Sequence, residues 1–210
     1  MFIYNDENNY NYTDILIIIV CLVILYTIYT SRFRIFIIII ISFIIFYRYT
    51  LREPCLCLKE ISDKNITSPA YGKIISVKKT DTTTEITIFL SLTDYHYQYS
   101  PMNGTVTKKM YKKGEFNAAY ILQKTEKNER LETYISNKYG EIIIYQIAGM
   151  LARTIVNNTE INNKLNRGDN IGLIKLGSQV RIYLPNKNTE IYVNKGDIVK
   201  GPDTILASWI

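Results

Sequence analysis

The sequence predicts a mainly β protein, a compact antiparallel domain of sandwich or barrel character behind an N-terminal transmembrane or membrane-hairpin segment. Two observations carry this. The first 52 residues hold two uncharged, largely apolar runs, Ile15–Thr30 and Ile35–Tyr47, and beyond Pro54 the chain turns to short alternating apolar runs cut by Gly, Asn, Asp and Pro. Alternation with a period of two puts one face of an extended chain on a core and the other in water, whereas a long uncharged run belongs to lipid or a deep interior.

In chain order, residues 1–14 are a polar tail and residues 15–52 a membrane anchor. Arg32 and Arg34 separate the two apolar runs, and Arg48 and Arg52 follow the second. A spanning helix needs about 20 residues. Each run is short for that, so a hairpin dipping into the bilayer is the first expectation, its reach extended by snorkelling arginines and flanking tyrosines. A cleavable signal would begin with basic residues, and Asp6, Glu7 and Asp14 are the reverse. Arginines stand both between and after the runs, so charge leaves the orientation open.

Residues 53–210 are the β domain. Lys73–Val77, Glu85–Leu90, Glu141–Ile147, Val180–Leu184 and Glu190–Val193 read as strands, and no segment after Pro54 shows a clear helical period. Arg167-Gly-Asp-Asn-Ile171 and Lys195-Gly-Asp-Ile-Val199 predict tight turns, Gly supplying positive φ and Asp a side-chain bond to the backbone. Ser68-Pro-Ala-Tyr-Gly72 is echoed by Ser100-Pro-Met-Asn-Gly104.

The formal charge of +6 comes from Lys and Arg scattered along the chain, without a nucleic-acid reader motif, so no nucleic-acid partner is expected. A basic face toward anionic lipid accounts for it. Cys21, Cys55 and Cys57 are odd in number and one lies in an apolar run, which argues against a disulfide framework and for a reduced, cytosol-facing domain. The Cys-x-Cys pair lacks partners at ligand spacing, so no metal is expected.

The chemistry-bearing candidates are Gly177-Ser178 and His96, the single histidine. Taken alone, the first is a turn and the second a hydrogen-bonded residue at a strand end. A serine hydroxyl can also attack the carbonyl that precedes it, provided the backbone is held tightly and a base stands near. Gly in front of it leaves room and tolerates unusual angles. The run Ile171–Pro185 around this pair, with Gln146–Val156, Phe89–Pro101 and Asn128-Glu129-Arg130 upstream, resembles the phosphatidylserine decarboxylase family over roughly residues 48–207. The likeness is greatest to the short, archaeal-type branch.

The resemblance implies self-cleavage between Gly177 and Ser178 into a β chain (1–177) and an α chain (178–210) that stay associated. Ser178 would become a covalent pyruvoyl group, the cofactor. Its ketone would take up the amine of phosphatidylserine and hold the electron pair when carbon dioxide leaves, giving phosphatidylethanolamine. The implied partners are that lipid and the bilayer, and the implied location is the membrane. Pairing into a homodimer is left open.

His96 matches the family histidine that handles protons, with help to Ser178 as a second duty; an imidazole with an ordinary pKa near 6.5 suits both. Tyr71 stands where the family has the Asp of a charge-relay set, and a phenol with an ordinary pKa near 10 cannot serve as a buried anion at neutral pH. Asp94, two residues before His96, is a candidate stand-in, with turn duty as its other reading. Arg130 and Arg153 are candidate contacts to substrate phosphate or carboxylate, with ordinary surface charge as their other reading. Two functions follow. The first is a membrane-anchored, pyruvoyl-dependent decarboxylase; the second, resting on Tyr71, is an unprocessed and catalytically silent homologue that binds aminophospholipid or a protein partner.

Overall fold

Two helices come first in the computed structural model, which describes residues 12–29, 34–56, 58–151, 153–175 and 177–210. Helix α1 (Tyr12–Tyr29) and helix α2 (Arg34–Thr50) coincide with the two apolar runs. They face one another: Leu16, Val20 and Ile24 of α1 and Ile41, Ile44 and Ile45 of α2 line a shared cavity of about 290 Å³. Leu22, Leu25, Ile38, Ile39 and Phe43 remain exposed. No described helix is long and apolar enough to cross a membrane, so the transmembrane form of the expected anchor has no span among the described residues. The polar tail through residue 11, the link containing Arg32, and Cys57 lie outside the described residues. Cys21 and Cys55 are free thiols.

The chain divides into two compact units, Met1–Arg48 and Tyr49–Ile210. The expected boundary lay between residues 52 and 53. The last residues of α2 and Arg52 therefore belong to the β unit.

That unit contains strands β1 (Asn65–Thr67), β2 (Gly72–Lys79), β3 (Thr83–Leu90), β4 (Tyr97–Tyr99) and β5 (Gly104–Lys112). After one helical turn, α3 (Leu122–Thr125), come β6 (Arg130–Ser136), β7 (Glu141–Ile147), β8 (Ile155–Asn157), β9 (Lys164–Leu165) and β10 (Asn170–Ile174). The C-terminal part adds β11 (Ser178–Pro185), β12 (Thr189–Ile191), β13 (Ile198–Val199) and β14 (Ile205–Trp209). They form a curled eight-stranded sheet in the order β13-β2-β3-β11-β7-β6-β5-β9 and two three-stranded sheets, β1-β14-β12 and β4-β10-β8. The strand pairings are antiparallel, in keeping with the expected mainly β class.

One core serves the three sheets. Ile86, Ile88 and Leu90 of β3 alternate inward and meet Ile182, Val180 and Ser178 of β11 in register. Ile66, Leu206 and Trp209 from the β1-β14-β12 sheet and Ile171 and Ile174 from the β4-β10-β8 sheet join the same cluster. The parity of β11 puts Ser178 on the core face, above Val180, and sends Gln179, Arg181 and Tyr183 to the other face. There Arg181 is held by Gln179, Glu126 and Thr125.

The predicted Gly-Asp turns form as expected. Gly168 and Gly196 sit at φ of 90° and 107°, and Asp169 and Asp197 accept from the backbone N–H of Asn166 and Asn194 at 2.7 and 2.8 Å. The Ser-Pro echo is also structural, since Ser68 and Ser100 donate their hydroxyls to the carbonyls of Ala70 and Met102. Strands β5 and β6 stand outside the predicted runs. A bulge between Val106 and Lys108 interrupts the alternation of β5, and β6 buries Glu132 and Thr133. The α3 turn was not predicted either.

Candidate active site

Gly177 and Ser178 stand at the entry to β11, the strand between β3 and β7 in the middle of the large sheet. This corrects the turn reading of the pair. Gly177 has φ of 66°, in the left-handed region, and among the described residues only Leu92 Cδ2, at 3.6 Å, would meet a Cβ there. The position thus needs glycine for its backbone angle and not for space. Ser178 is fully buried, and its hydroxyl has no hydrogen-bond partner among the described residues. Buried hydroxyls are nearly always paired, so an unpaired one calls for an explanation, and reactivity is one.

His96 arrives from the other side. Strands β4 and β10 pair with Leu173 opposite Tyr97, and Ile174 N–H donates to the His96 carbonyl at 3.2 Å. The segment leaving β10 then carries Gly177 past the imidazole, and Gly177 N–H donates to His96 Nε2 at 3.1 Å. On the far edge of the ring, Nδ1 lies 2.9 Å from the Asp94 carbonyl and 3.1 Å from the Thr50 carbonyl. Carbonyls only accept, so the proton sits on Nδ1 and Nε2 presents a lone pair. Burial pushes the pKa of His96 below its ordinary 6.5; the two carbonyls and the Asp94 charge oppose this, while Arg52 adds to it. The ring is therefore a neutral base at neutral pH. Its backbone is braced by a buried relay in which Gln98 Nε2 donates to the His96 carbonyl at 2.6 Å, Gln146 Nε2 to Gln98 Oε1 at 2.8 Å, and Asn157 Nδ2 to Gln146 Oε1 at 2.9 Å.

A third component is Gly149, just beyond β7. A Cβ built on it would lie 1.9 Å from the Gly177 carbonyl oxygen, so the carbonyl that Ser178 would attack rests against bare backbone. Its φ is not positive, and space alone demands glycine here. Asn128 fixes this contact: its Nδ2 donates to the Ala148 carbonyl at 2.7 Å and to the Asn117 carbonyl at 2.9 Å, and its Oδ1 accepts from Asn117 N–H at 2.9 Å. Gln179 Nε2 holds the same neighbourhood through the Ala119 carbonyl at 3.1 Å. Two loops are thereby clamped around the Gly177-Ser178 link.

The family description "Phosphatidylserine decarboxylase" matches residues 43–207. The chain belongs to the phosphatidylserine decarboxylase family. It is 39% identical over 168 residues to a phosphatidylserine decarboxylase proenzyme of Ehrlichia chaffeensis, covering 76% of this chain and 74% of that one. It is 34% identical over 171 residues to one of Carboxydothermus hydrogenoformans, covering 78% of each. A proenzyme of Methanosarcina barkeri named for archaetidylserine decarboxylase is 38% identical over 149 residues, covering 71% of this chain and 70% of that one. The chain is accordingly a decarboxylase.

Other candidate residues of this decarboxylase fall into place less fully. Tyr71 packs on the rings of Tyr95 and Tyr99 at 4.8 and 6.5 Å and lines a cavity of about 420 Å³ with Arg52, Asp94 and Lys200. Burial, then the charges of Asp203 and Tyr95, push its phenol up to about 12, so it stays neutral. Asp94 is no stand-in through its carboxylate, which accepts from Ser91 N–H at 2.8 Å and the Ser91 hydroxyl at 2.7 Å and so closes the turn before His96. Its backbone carbonyl is what touches the imidazole. Arg130 lies on the opposite face of the sheet from Ser178, bonded to Glu132 Oε1 at 2.9 Å and the Glu126 carbonyl at 3.0 Å, and is not brought to the site. Arg153 is exposed on the loop that follows Gly149, 5.7 Å from the Phe116 ring. Sequence reasoning did not single out Thr50 or Gly149, and it read Arg52 as a charge flanking the anchor. Only Gly149 carried a signal, as the glycine inside the Gln146–Val156 block.

Proposed function

We propose that this decarboxylase matures by cutting itself between Gly177 and Ser178 and then, seated on the membrane through its helical pair, converts phosphatidylserine to phosphatidylethanolamine with a pyruvoyl group at position 178. The observation that carries the proposal is the buried, unpartnered Ser178 hydroxyl beside a left-handed Gly177 whose N–H rests on the His96 lone pair. In the cleavage, Ser178 Oγ adds to the Gly177 carbonyl carbon. His96 Nε2 takes the hydroxyl proton once it exchanges Gly177 N–H for Oγ–H, one residue away. The bond from Gly177 carbon to Ser178 nitrogen then breaks, and the nitrogen gains the proton, leaving an ester. Loss of the Cα proton of residue 178 expels the Gly177 carboxylate. The resulting enamine rearranges and hydrolyses with one water, releasing ammonia.

The pyruvoyl group formed this way supplies a ketone for the substrate amine and a sink for the electron pair released with carbon dioxide. Position 178 suits it, being dry, at a strand end and next to a neutral base. His96 handles the protons through Nε2, and Arg153, exposed on the loop after Gly149, is the proposed contact to the lipid phosphate. The names of the relatives support a serine phospholipid as the substrate class, and the exposed apolar faces of α1 and α2 are the proposed seat in the bilayer. Intact mass of the full-length protein in detergent tests the proposal. A C-terminal fragment starting at position 178 with a pyruvoyl end, together with phosphatidylethanolamine formed in phosphatidylserine vesicles, supports it. The neutral Tyr71 favours a second reading, the unprocessed lipid-binding homologue. A chain that stays whole through long incubation with such vesicles selects that one.

A further inference from the structure

By the resemblance, a carboxylate belongs at position 71, and what touches His96 Nδ1 here is backbone, the carbonyls of Asp94 and Thr50. We propose that the backbone at Tyr49–Arg52, clamped by Arg52, takes the place of the missing charge-relay carboxylate, with the Thr50 carbonyl orienting His96 and Arg52 acting as a positioning residue for the base. The inference rests on the roles given above to Ser178 and His96.

The Thr50 carbonyl accepts from His96 Nδ1 at 3.1 Å, beside the Asp94 carbonyl at 2.9 Å. Arg52 ties this stretch of backbone to the loop that carries the histidine. Its Nη1 donates to the Tyr49 carbonyl at 2.7 Å and its Nη2 to the Thr93 carbonyl at 3.1 Å. The guanidinium lies 3.8 Å from the Tyr49 ring centroid and 4.1 Å from that of Tyr95, the residue before His96. A planar fork can bond two carbonyls and stack on two rings together; a lysine ammonium cannot.

The charges facing the imidazole are those of Asp94 and Arg52. The Asp94 carboxylate is occupied by Ser91, and Tyr71 is a neutral phenol. The acceptors on Nδ1 are thus two backbone dipoles that do not titrate. They fix the tautomer as a carboxylate would and stabilise the imidazolium less.

His96 is the only histidine, so nitrogen-15 labelling of histidine reads one imidazole in the full-length protein. In the uncleavable Ser178→Ala chain, kept in detergent above the histidine pKa, the expected spectrum shows protonation at Nδ1 alone. Adding Arg52→Lys, or Leu51→Pro, which swings residue 50 out of the helical region, is expected to bring up the Nε2-protonated form. In the chain with Ser178 intact, either change is expected to slow cleavage at least ~10-fold, part of the ~10²–10⁴ that general-base catalysis contributes. Protonation at Nε2 in the parent overturns the inference. So does an Arg52→Lys chain, the milder of the two, that keeps both the parent spectrum and the parent cleavage rate. A parent with the expected spectrum whose Ser178 form is never cut sinks the proposed function and leaves the positioning of His96 standing.

Discussion

At the scale of single residues, two glycines serve one bond for different reasons, and substitution separates them. At Gly177 the strain is conformational, about 1–2 kcal/mol for a left-handed non-glycine residue. At Gly149 it is steric, because a Cβ 1.9 Å from the Gly177 carbonyl oxygen forces that oxygen to move by more than an ångström to reach ordinary contact. A misplacement of about 1 Å costs on the order of 10²-fold in rate. Gly149→Ala is therefore expected to fold and to slow appearance of the 178–210 fragment about 100-fold, read on denaturing gels over time. His96 sets the pH dependence. Its folded pKa lies below the ordinary 6.5, so the base stays neutral through neutrality and cleavage slows only as pH falls below 6.5. Stability moves with the same sign. The unfolded chain binds the proton first, so stability is intact above 6.5 and is lost as pH falls toward the folded value. Cleavage rates and thermal unfolding of Ser178→Ala across acid pH check both.

Among the elements, the loops held by Asn128 and the strand that begins with Ser178 matter most. Asn128→Ala leaves the carbonyls of Ala148 and Asn117 without their donor, and a buried group left unpaired costs about 1–3 kcal/mol. The expected result is a lower melting temperature together with slower cleavage, since Gly149 loses its brace. Ile182→Ala tests β11 as a core strand. It deletes a fully buried side chain at the centre of the sheet and should cost about 2–5 kcal/mol in denaturant unfolding of the uncleaved chain.

At the scale of the whole molecule, cleavage would sever a chain whose C-terminal piece is woven through the fold. Residues 178–210 supply β11 between β3 and β7, β13 at one edge of the large sheet, and β12 and β14 in a smaller sheet. The two pieces are expected to elute together in native gel filtration and to part only in denaturant. Fragments that separate without denaturant would contradict this packing. For the membrane seat, Ile39→Asp places a charge on an exposed apolar position of α2 and should weaken flotation with anionic vesicles. Unchanged flotation would remove α2 as the anchor.

What the sequence determined by itself was local. The apolar runs became α1 and α2, period-two alternation placed β3, β7 and β11, the Gly-Asp pairs became turns, and the ordered motifs picked out Ser178 and His96. Strands β5 and β6 escaped because a bulge breaks the alternation of one and the other buries Glu132 against Lys112 and Arg130. Only the tertiary structure decided which groups meet. Thr50 and Gly177 reach His96 across 46 and 81 residues of chain. Those contacts follow from strand register and from where a helix happens to end, and they involve backbone carbonyls and an amide. Every residue carries such groups, so side-chain identity gave no sign of them.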